Sequence, residues 1–196
     1  MIEVKNLTKS FDGKTILHDV SATFETGKTN LIIGQSGSGK TVLVKSIVGL
    51  IRPEHGSILY DGRDLLKMSD EEIKSLRQEI GMLFQGSALF DSETVLGNVM
   101  FPLIMFSDMS KSEMLDRAQF CLERVNLKGA GDKYPSEISG GMQKRVAIAR
   151  AIALNPKYLF CDEPNSGLDP RTSIVIDELL SDITHEYKMT TIINTH

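Results

Sequence analysis

One octapeptide constrains the fold of this chain more than any other feature. It fits the pattern G-x-x-x-x-G-K-[ST] and consists of Gly34, Gln35, Ser36, Gly37, Ser38, Gly39, Lys40 and Thr41. A short β-branched run, residues 29–33, precedes it, and helical periodicity over residues 42–50 follows it. A strand, a glycine-rich loop and a helix in this order are typical of a parallel α/β sheet, and they favour a loop that wraps around phosphate groups.

Length and composition argue against several other classes of protein. The chain has 196 residues, 41% of them hydrophobic, with 22 Lys and Arg against 26 Asp and Glu. A chain of this length can bury a core without a metal, and the distant Cys121 and Cys161 do not suggest a disulfide framework. No apolar run approaches the roughly 18 residues of a membrane span, and the first residues do not resemble a signal peptide. The mild acidity argues against a nucleic-acid partner. Because the two distant cysteines suit a reducing cytosol and no span is present, we expect a cytosolic protein that reaches a membrane only through a partner.

Hydrophobic patterning predicts the remaining elements. The chain opens with a β section, in which strands near residues 2–4 and 16–24 flank a turn at residues 12–14. Further strands are predicted at 57–60, 80–84, 158–161 and 190–195, and helices at 70–78, 110–127, 141–154 and 170–187. Strands and helices that alternate at this spacing indicate a parallel sheet. We interpret the chain as a single domain, 1–196, with a core that includes the β section in 1–85 and 157–196 and a helical subdomain in 86–156.

The octapeptide, residues 34–41, is called the phosphate loop below. Its glycines let successive backbone N–H groups point inward, and the following helix adds the positive end of its dipole. Lys40 would reach the β- and γ-phosphates of a nucleotide, and the Thr41 hydroxyl would ligate Mg²⁺. The alternative is a plain glycine-rich turn between a strand and a helix.

A second motif consists of two carboxylates at the end of a strand. The apolar run 158–161 is followed by Asp162 and Glu163. In a parallel sheet this strand would deliver both acids to the edge that carries the phosphate loop. Asp162 can hold Mg²⁺ through a water, and Glu163 can orient or deprotonate a water that attacks the γ-phosphate. By itself a strand that ends in Asp-Glu is as often a solvated strand end, so this interpretation depends on the phosphate loop.

A third motif separates protein families that share the first two. Residues 138–142, called the signature loop below, read Ile-Ser-Gly-Gly-Met and precede Gln143. They resemble the LSGGQ signature of ABC-type ATPases, with Ile and Met where Leu and Gln are usual. The Ser139 hydroxyl and the amides of Gly140 and Gly141 would form an anion site at a helix N-terminus. That helix carries three cations, Lys144, Arg145 and Arg150.

The resemblance to ABC-type ATPases covers essentially the whole chain and implies further roles. Phe11 matches the aromatic residue that stacks on adenine, and Val42 adjoins the phosphate loop as another nucleotide contact. Gln85 matches the glutamine that reaches Mg²⁺ and the attacking water and senses the transporter. Residues 166–169, which match the D-loop of the family, add Asp169 to the expected site.

The end of the chain also fits this resemblance. His196 matches the switch histidine that contacts the γ-phosphate in the family. Family members continue beyond this histidine with further strands and helices, so we expect the chain to be C-terminally truncated.

The same resemblance implies the fold, the ligands and a second copy of the chain. The expected fold is an α/β P-loop NTPase with a RecA-like parallel sheet core, an N-terminal antiparallel β section and an inserted helical subdomain. ATP and Mg²⁺ are the implied ligands. In this family the phosphate loop and the signature loop of one subunit lie on distant faces. Two ATP molecules are therefore sandwiched between two chains, and Ser139 and Gly141 of each chain complete the site of the other.

The cargo is suggested by a narrower resemblance. Residues 81–92 and 98–103 resemble the matching stretch of Mla-type ATPases, and Met142 and the Val-Leu pair 42–43 favour the same group. Mla-type ATPases serve phospholipid transport on the cytoplasmic face of the inner membrane, with an integral membrane permease and a lipid-binding MCE-domain protein. ATPases of amino-acid or ion importers share most of this pattern, and a soluble ABC ATPase of Fe–S cluster assembly is a further alternative.

Apolar side chains follow Gln85 in the predicted helical subdomain. In the family a groove near this glutamine receives a helix of the permease. The candidates are Phe90, Phe101, Leu103, Met105, Phe106 and Met109. They either line such a groove or form the core of the subdomain, and only their exposure decides between these alternatives.

Overall fold

The computed structural model describes residues 1–195, which form eight strands and six α-helices. The strands are Ile2–Phe11 (β1), Lys14–Phe24 (β2), Thr29–Ile33 (β3), His55–Tyr60 (β4), Arg63–Asp64 (β5), Ile80–Leu83 (β6), Tyr158–Asp162 (β7) and Thr190–Thr195 (β8). The helices are Lys40–Ile47 (α1), Asp70–Gln78 (α2), Val95–Phe106 (α3), Lys111–Arg124 (α4), Gly140–Ile152 (α5) and Pro170–Tyr187 (α6).

The first sheet is antiparallel and contains the N-terminal strands in the order β2-β1-β4-β5. A tight turn at Asp12 and Gly13, both with positive φ, joins β1 to β2. Alternate residues of β1 and β4, such as Ile2 and Ile58, are buried in one cluster with Ile47 of α1. This sheet therefore packs its apolar face against the helix that follows the phosphate loop.

The second sheet is parallel, in the order β3-β8-β7-β6. Its strand β7 is buried on both faces, since Leu159 and Cys161 belong to one core cluster while Tyr158 and Phe160 belong to the other. The carboxyl ends of parallel strands lie at one edge of the sheet. The segments that follow β3, β6 and β7 therefore begin at this same edge.

Helices α3, α4 and α5 lie between β6 and β7 in the sequence and form a helical layer. Their apolar faces share one core cluster with the second sheet, to which Val99, Cys121 and Ile148 contribute. Helix α4 begins with a capping box, in which the Ser110 side chain and the Glu113 side chain each accept a hydrogen bond from the other's backbone N–H. The layer places the N-terminus of α5, and with it the signature loop, outside the parallel sheet.

The predicted α/β architecture, with a parallel sheet core, an N-terminal antiparallel section and inserted helices, is confirmed. The predicted strands at 29–33 and 190–195 and helices at 70–78 and 170–187 have these bounds in the structure. Helix α3 was not predicted, because its residues are apolar on most sides and Pro102 lies inside it, so no helical period is visible. Nowhere in residues 1–195 is a helix both long and apolar enough to cross a bilayer.

Candidate active site

The phosphate loop turns into α1 at Gly39. This residue has φ 94°, in the left-handed region that favours glycine, and a Cβ atom there would lie 3.2 Å from the backbone oxygen of Ile16. Gly39 occupies the N-cap position of α1, where no side chain caps the first amides. Uncapped N–H groups at a helix N-terminus are the groups that bind phosphate in proteins.

Lys40 folds back over the beginning of the phosphate loop. Its Nζ donates to the carbonyl oxygens of Gly34 at 2.5 Å and Gln35 at 3.1 Å. The amide of Ser38 donates to the Gln35 oxygen at 3.2 Å and closes the loop as a tight turn. The ammonium group thus lies close to the loop backbone, where it can meet the charge of a bound phosphate.

A cavity of about 370 Å³ adjoins the phosphate loop. It is lined by Phe11, Ile16, Ser36, Gly37, Gly39, Lys40, Thr41, Val42 and Glu163. The Phe11 ring is 43% exposed, with the Lys9 ammonium 5.0 Å from its centre. An exposed aromatic ring beside such a glycine-rich loop can stack on the base of a nucleotide.

Glu163 follows β7 in a strained backbone conformation. Its φ is 47°, which is costly for a residue with a Cβ, and its N–H donates to the Asn194 oxygen at 2.9 Å. The Glu163 carboxylate accepts a hydrogen bond from the Gln85 side-chain amide at 2.8 Å. The same amide donates to the Ser166 hydroxyl at 3.3 Å, so the segments after β6 and β7 meet through their side chains.

Asp162, the last residue of β7, is held by the neighbouring strand. The Asn194 side-chain amide of β8 donates to its Oδ1 at 2.7 Å, and the two residues are partners in the parallel register. Cys161 precedes it in the core, and burial raises the pKa of this thiol well above its usual range. The carboxylate is therefore oriented at the sheet edge, while the thiol stays protonated.

The signature loop ends where α5 begins. Ser139 is the N-cap, and its hydroxyl accepts a hydrogen bond from the Met142 amide at 3.3 Å. A Cβ atom on Gly141 would lie 2.7 Å from Cγ2 of Thr172 on α6. Glycine at position 141 therefore lets the first turn of α5 approach α6 closely.

Asp169 caps α6 beside the signature loop. It accepts hydrogen bonds from the backbone amides of Arg171 at 3.0 Å and Thr172 at 3.1 Å, and from the Thr172 hydroxyl at 2.5 Å. The hydrogen bond from the Thr172 side chain is the main cause that lowers the pKa of Asp169. A second cavity, of about 450 Å³, is lined by Ser139, Gly140, Gly141, Arg145, Gly167, Leu168, Asp169, Arg171, Thr172, Val175 and Ile176.

The structure thus separates the predicted site residues into two groups. Phe11, the phosphate loop and Val42 lie with Glu163, and Gln85 contacts Glu163 directly. Ser139, Gly140, Gly141 and Asp169 line the other cavity, and no described residue lines both. The predicted role of His196 falls outside the described residues.

Sequence reasoning missed two residues that position the site. Asn194 lies opposite Asp162 in β8, and an amide side chain in a buried strand was the available signal. Thr172 follows Asp169 by three residues, the spacing at which a first-turn residue reaches back to an N-cap. Its contact with Gly141 had no signal in the sequence, because the two residues belong to different helices.

An apolar groove of about 470 Å³ adjoins β6 and the residues that follow it. It is lined by Arg77, Ile80, Gly81, Met82, Phe84, Ala88, Phe90, Phe101, Pro102, Phe106, Arg150, Ala151 and Leu154. Three of the six candidates, Phe90, Phe101 and Phe106, line this groove and are exposed. Leu103 takes the other alternative, because it is fully buried in the core among α3, α4 and α5. Met105 and Met109 are exposed but do not line the groove.

Comparison with known proteins matches residues 17–166 to the protein family described as ABC transporter. The chain is 44% identical over 195 residues to Mkl of Mycobacterium leprae, a "probable ribonucleotide transport ATP-binding protein", and the match covers 100% of this chain and 56% of that protein. It is also 44% identical over 199 residues to the methionine import ATP-binding protein MetN of Carboxydothermus hydrogenoformans, covering 100% of this chain and 59% of that protein. The chain therefore spans a little over half the length of these curated relatives.

A solved structure is similar over the whole chain. It is a dimeric, post-hydrolysis state of an ATP-binding cassette bound to ADP and Pi. The TM-score is 0.88 at 35% sequence identity, and the match covers 100% of this chain and 88% of that one.

Proposed function

Because the chain belongs to the ABC transporter family, we propose that it binds and hydrolyses ATP and thereby drives transport through a separate membrane permease. One observation carries this proposal: Glu163 lines the same cavity as Lys40 and accepts a hydrogen bond from Gln85. A carboxylate beside a phosphate loop can take the proton of a water that attacks the γ-phosphate. The site thus combines phosphate binding with a candidate base.

Nucleotide binding is assigned to the phosphate loop and its surroundings. The loop amides and the N-terminus of α1 would hold the β- and γ-phosphates, and Lys40 would move from the carbonyls of Gly34 and Gln35 to the phosphate oxygens. Phe11 would stack on adenine, and Val42 would pack beside the nucleotide. The exposure of the Phe11 ring and its place in the same cavity support this assignment.

The hydrolytic step is assigned to residues at the edge of the parallel sheet. Glu163 would orient and deprotonate the attacking water, and Gln85 would hold the Glu163 carboxylate in position. Lys40 would stabilise the charge that develops on the γ-phosphate. His196, which ends the chain after β8, would add a contact to the same phosphate.

Mg²⁺ fits the oxygen donors at this edge. Among residues 1–195, no group of three His, Cys, Asp or Glu residues is arranged to hold a metal by itself. Mg²⁺ is usually bound by one or two protein oxygens together with waters and substrate phosphates. Such donors are the Thr41 hydroxyl, the Asp162 carboxylate and the side-chain oxygen of Gln85. The NH₂ group of Gln85 donates to Glu163, which leaves its oxygen for the ion. When bound, the ion would neutralise charge on the phosphate oxygens.

A second copy of the chain would complete each ATP site. Within one chain, the cavity beside the phosphate loop is not lined by any of Ser139, Gly140, Gly141 and Asp169, which line a different cavity. The similar cassette with ADP and Pi was solved as a dimer. We assign these four residues to the ATP of the opposing chain, where the amides at the start of α5 would face the γ-phosphate.

The permease would dock in the apolar groove. The groove adjoins the segment that contains Gln85, and its exposed rings Phe90, Phe101 and Phe106 offer apolar area to a helix. We propose that residues 86–156 act as the helical subdomain that receives the permease, beside a catalytic core in 1–85 and 157–196. The subunit would then lie on the cytoplasmic face of the inner membrane.

For the cargo we propose phospholipid, carried with an MCE-domain protein. The support is the resemblance of residues 81–92 and 98–103 to Mla-type ATPases, and seven of these 18 residues line the groove. The names of the relatives favour other cargo, since one refers to ribonucleotide transport and one to methionine import. Import of an amino acid is therefore the second candidate.

Hydrolysis at different protein concentrations tests the proposed activity. If a second chain completes each site, ATP turnover per chain should rise with concentration, because a stabilising group supplied in trans contributes about 10³–10⁵ in rate to related phosphoryl transfer. Full turnover in a sample shown to be monomeric would contradict the shared site. Failure to bind nucleotide at any concentration would contradict the whole proposal.

Purification from native membranes tests the cargo. The full-length subunit should be recovered with an integral membrane permease, an MCE-domain protein and bound phospholipid. A permease with an amino-acid-binding protein would support the import alternative. A soluble Fe–S scaffold in place of a permease would overturn the transport proposal.

A further inference from the structure

The turn at residues 85–88, which follows β6, contains two successive residues in a left-handed conformation. Ser87 has φ 62° and Ala88 has φ 48°, and neither is glycine. Residues with a Cβ atom persist in this region only where their surroundings hold them. Ser87 is also 4% exposed, so the strained turn is packed against the protein.

Arg150 of α5 holds the strained end of this turn. Its Nη2 donates to the Ser87 oxygen at 2.8 Å and its Nη1 to the Ala88 oxygen at 2.7 Å. The planar guanidinium presents two donors in a fixed fork, whereas a lysine ammonium acts as a single point charge. Two successive carbonyls bound by one fork fix the orientation of the turn, not only its position.

Lys144 of the same helix holds the beginning of the turn. Its side chain is 4% exposed, and its Nζ donates to the backbone oxygen of Gln85. The side chain of Gln85 in turn donates to Glu163. Helix α5 therefore donates hydrogen bonds to both ends of the turn. Gln85, at the beginning of the turn, contacts the candidate base Glu163.

We propose that Arg150 is a positioning residue for ATP hydrolysis, which fixes the 85–88 turn and thereby holds the Gln85 side chain against Glu163. Arg150 does not line the cavity of the phosphate loop, so it acts through the turn. It does line the apolar groove, 6.0 Å from the centre of the Phe90 ring. The residue that holds the turn therefore also faces the groove. This inference rests on the proposed hydrolytic function.

The test compares Arg150→Lys with Arg117→Lys in the full chain. Arg117 provides a matched control, because its Nε and Nη2 also donate to two successive carbonyls, those of Ala153 and Ile152 at 2.9 Å each, but at the C-terminus of α5 and not in the 85–88 turn. Arg150→Lys should lower kcat for ATP by about tenfold to a hundredfold, since small misplacements of catalytic groups cost this much. The KM for ATP should stay unchanged, because the phosphate loop is untouched.

Amide hydrogen exchange measures how firmly the 85–88 turn is held, and it does not depend on ATP hydrolysis. In Arg150→Lys the amides of residues 85–90 should exchange about tenfold faster or more, as expected for lost hydrogen bonds to a charged group. Arg117→Lys should leave these amides and kcat unchanged. Adding Ala88→Gly to Arg150→Lys should recover part of kcat, because glycine adopts positive φ without strain.

The outcomes separate this inference from the proposed function. Unchanged exchange at residues 85–90, or faster exchange with unchanged kcat, would overturn the role of Arg150. If the unaltered chain does not hydrolyse ATP, the proposed function fails while the exchange experiment still tests the hold on the turn. Thermal melting monitors folding, and the double variant with Ala88→Gly replaces Arg150→Lys if the latter unfolds.

Discussion

The phosphate loop and the signature loop both lead into a helix N-terminus, but only the helix after the signature loop has a side chain that caps a first-turn amide. In α1 the N-cap is the left-handed Gly39, which offers no side chain to the first turn. In α5 the N-cap is Ser139, whose hydroxyl accepts from the Met142 amide. Uncapped amides favour an anionic ligand, and in α5 the Ser139 hydroxyl caps the Met142 amide rather than the amides of Gly140 and Gly141.

The loops also differ in what holds them. The phosphate loop is closed largely by its own contacts, from Lys40 to the carbonyls of Gly34 and Gln35. The signature loop depends on a neighbour, since Gly141 packs against Thr172 of α6. Changes in the first loop should therefore act on the nucleotide, and changes in the second should act through the contact between two helices.

The largest effect is expected for Glu163→Gln, which leaves both loops intact. The amide cannot take a proton, so kcat should fall by about 10²–10⁴-fold while ATP still binds. ATP should then hold two chains together, which gel filtration with and without ATP would reveal. Glu178→Gln, at an exposed position of α6, is the matched control. An elution volume that does not respond to ATP would count against a site shared by two chains.

A second, smaller effect is expected for Lys40→Met. Removal of the ammonium group deletes its charge-assisted hydrogen bonds to phosphate, so affinity for ATP should fall by about 10- to 100-fold. Titration of a fluorescent ATP analogue measures this change in a single chain. Lys45→Met, on an exposed side of the same helix, should bind normally. Unaltered affinity in Lys40→Met would show that the phosphate loop binds its ligand without this lysine.

Gly141→Ala should separate the two loops. The added methyl group would meet Cγ2 of Thr172 at 2.7 Å, so α5 must shift away from α6. We expect ATP affinity of the single chain to be unchanged and kcat to fall about tenfold, as for a modest misplacement of binding groups. Thr172→Ser removes that methyl group but keeps the hydroxyl that donates to Asp169, so the double variant should recover kcat. A double variant as slow as Gly141→Ala would argue that the contact with α6 is not the cause.

The smallest effects are expected at two serine caps. Ser139→Ala and Ser110→Ala each remove a hydroxyl that accepts from a first-turn amide, at a cost of about 1 kcal/mol in stability. Urea unfolding should therefore place both variants at similar stability. Only Ser139→Ala should also reduce hydrolysis, because Ser110 lies at the start of α4, away from both cavities. Equal hydrolysis in both variants would show that Ser139 acts only as a helix cap.

Local patterns made much of the site predictable. The phosphate loop follows from eight adjacent residues between a strand and a helix, and Glu163 follows from its place at the end of an apolar strand. The alternation of strands and helices then predicts that both lie at one sheet edge, and the structure has them lining one cavity. Each of these inferences needs only short-range spacing and the geometry of a parallel sheet.

Contacts between distant segments were not predictable in this way. Arg150 could be read as one cation of an amphipathic helix, but its carbonyl partners are more than 60 residues earlier in the chain. Leu103 was a candidate for the groove, yet it is buried in the core beside exposed neighbours on α3. An apolar residue in an apolar helix carries no sign of which side the protein covers.

The sequence by itself determined the phosphate loop, the two carboxylates after β7 and the signature loop, because each is a local arrangement of adjacent residues. Tertiary structure alone decided how these parts are held and separated. The close approach of Gly141 to Thr172 and the hold of Arg150 on the 85–88 turn both depend on how α5 packs. Packing of that kind is set by the shapes of surfaces far apart in the chain, which no short stretch of sequence contains.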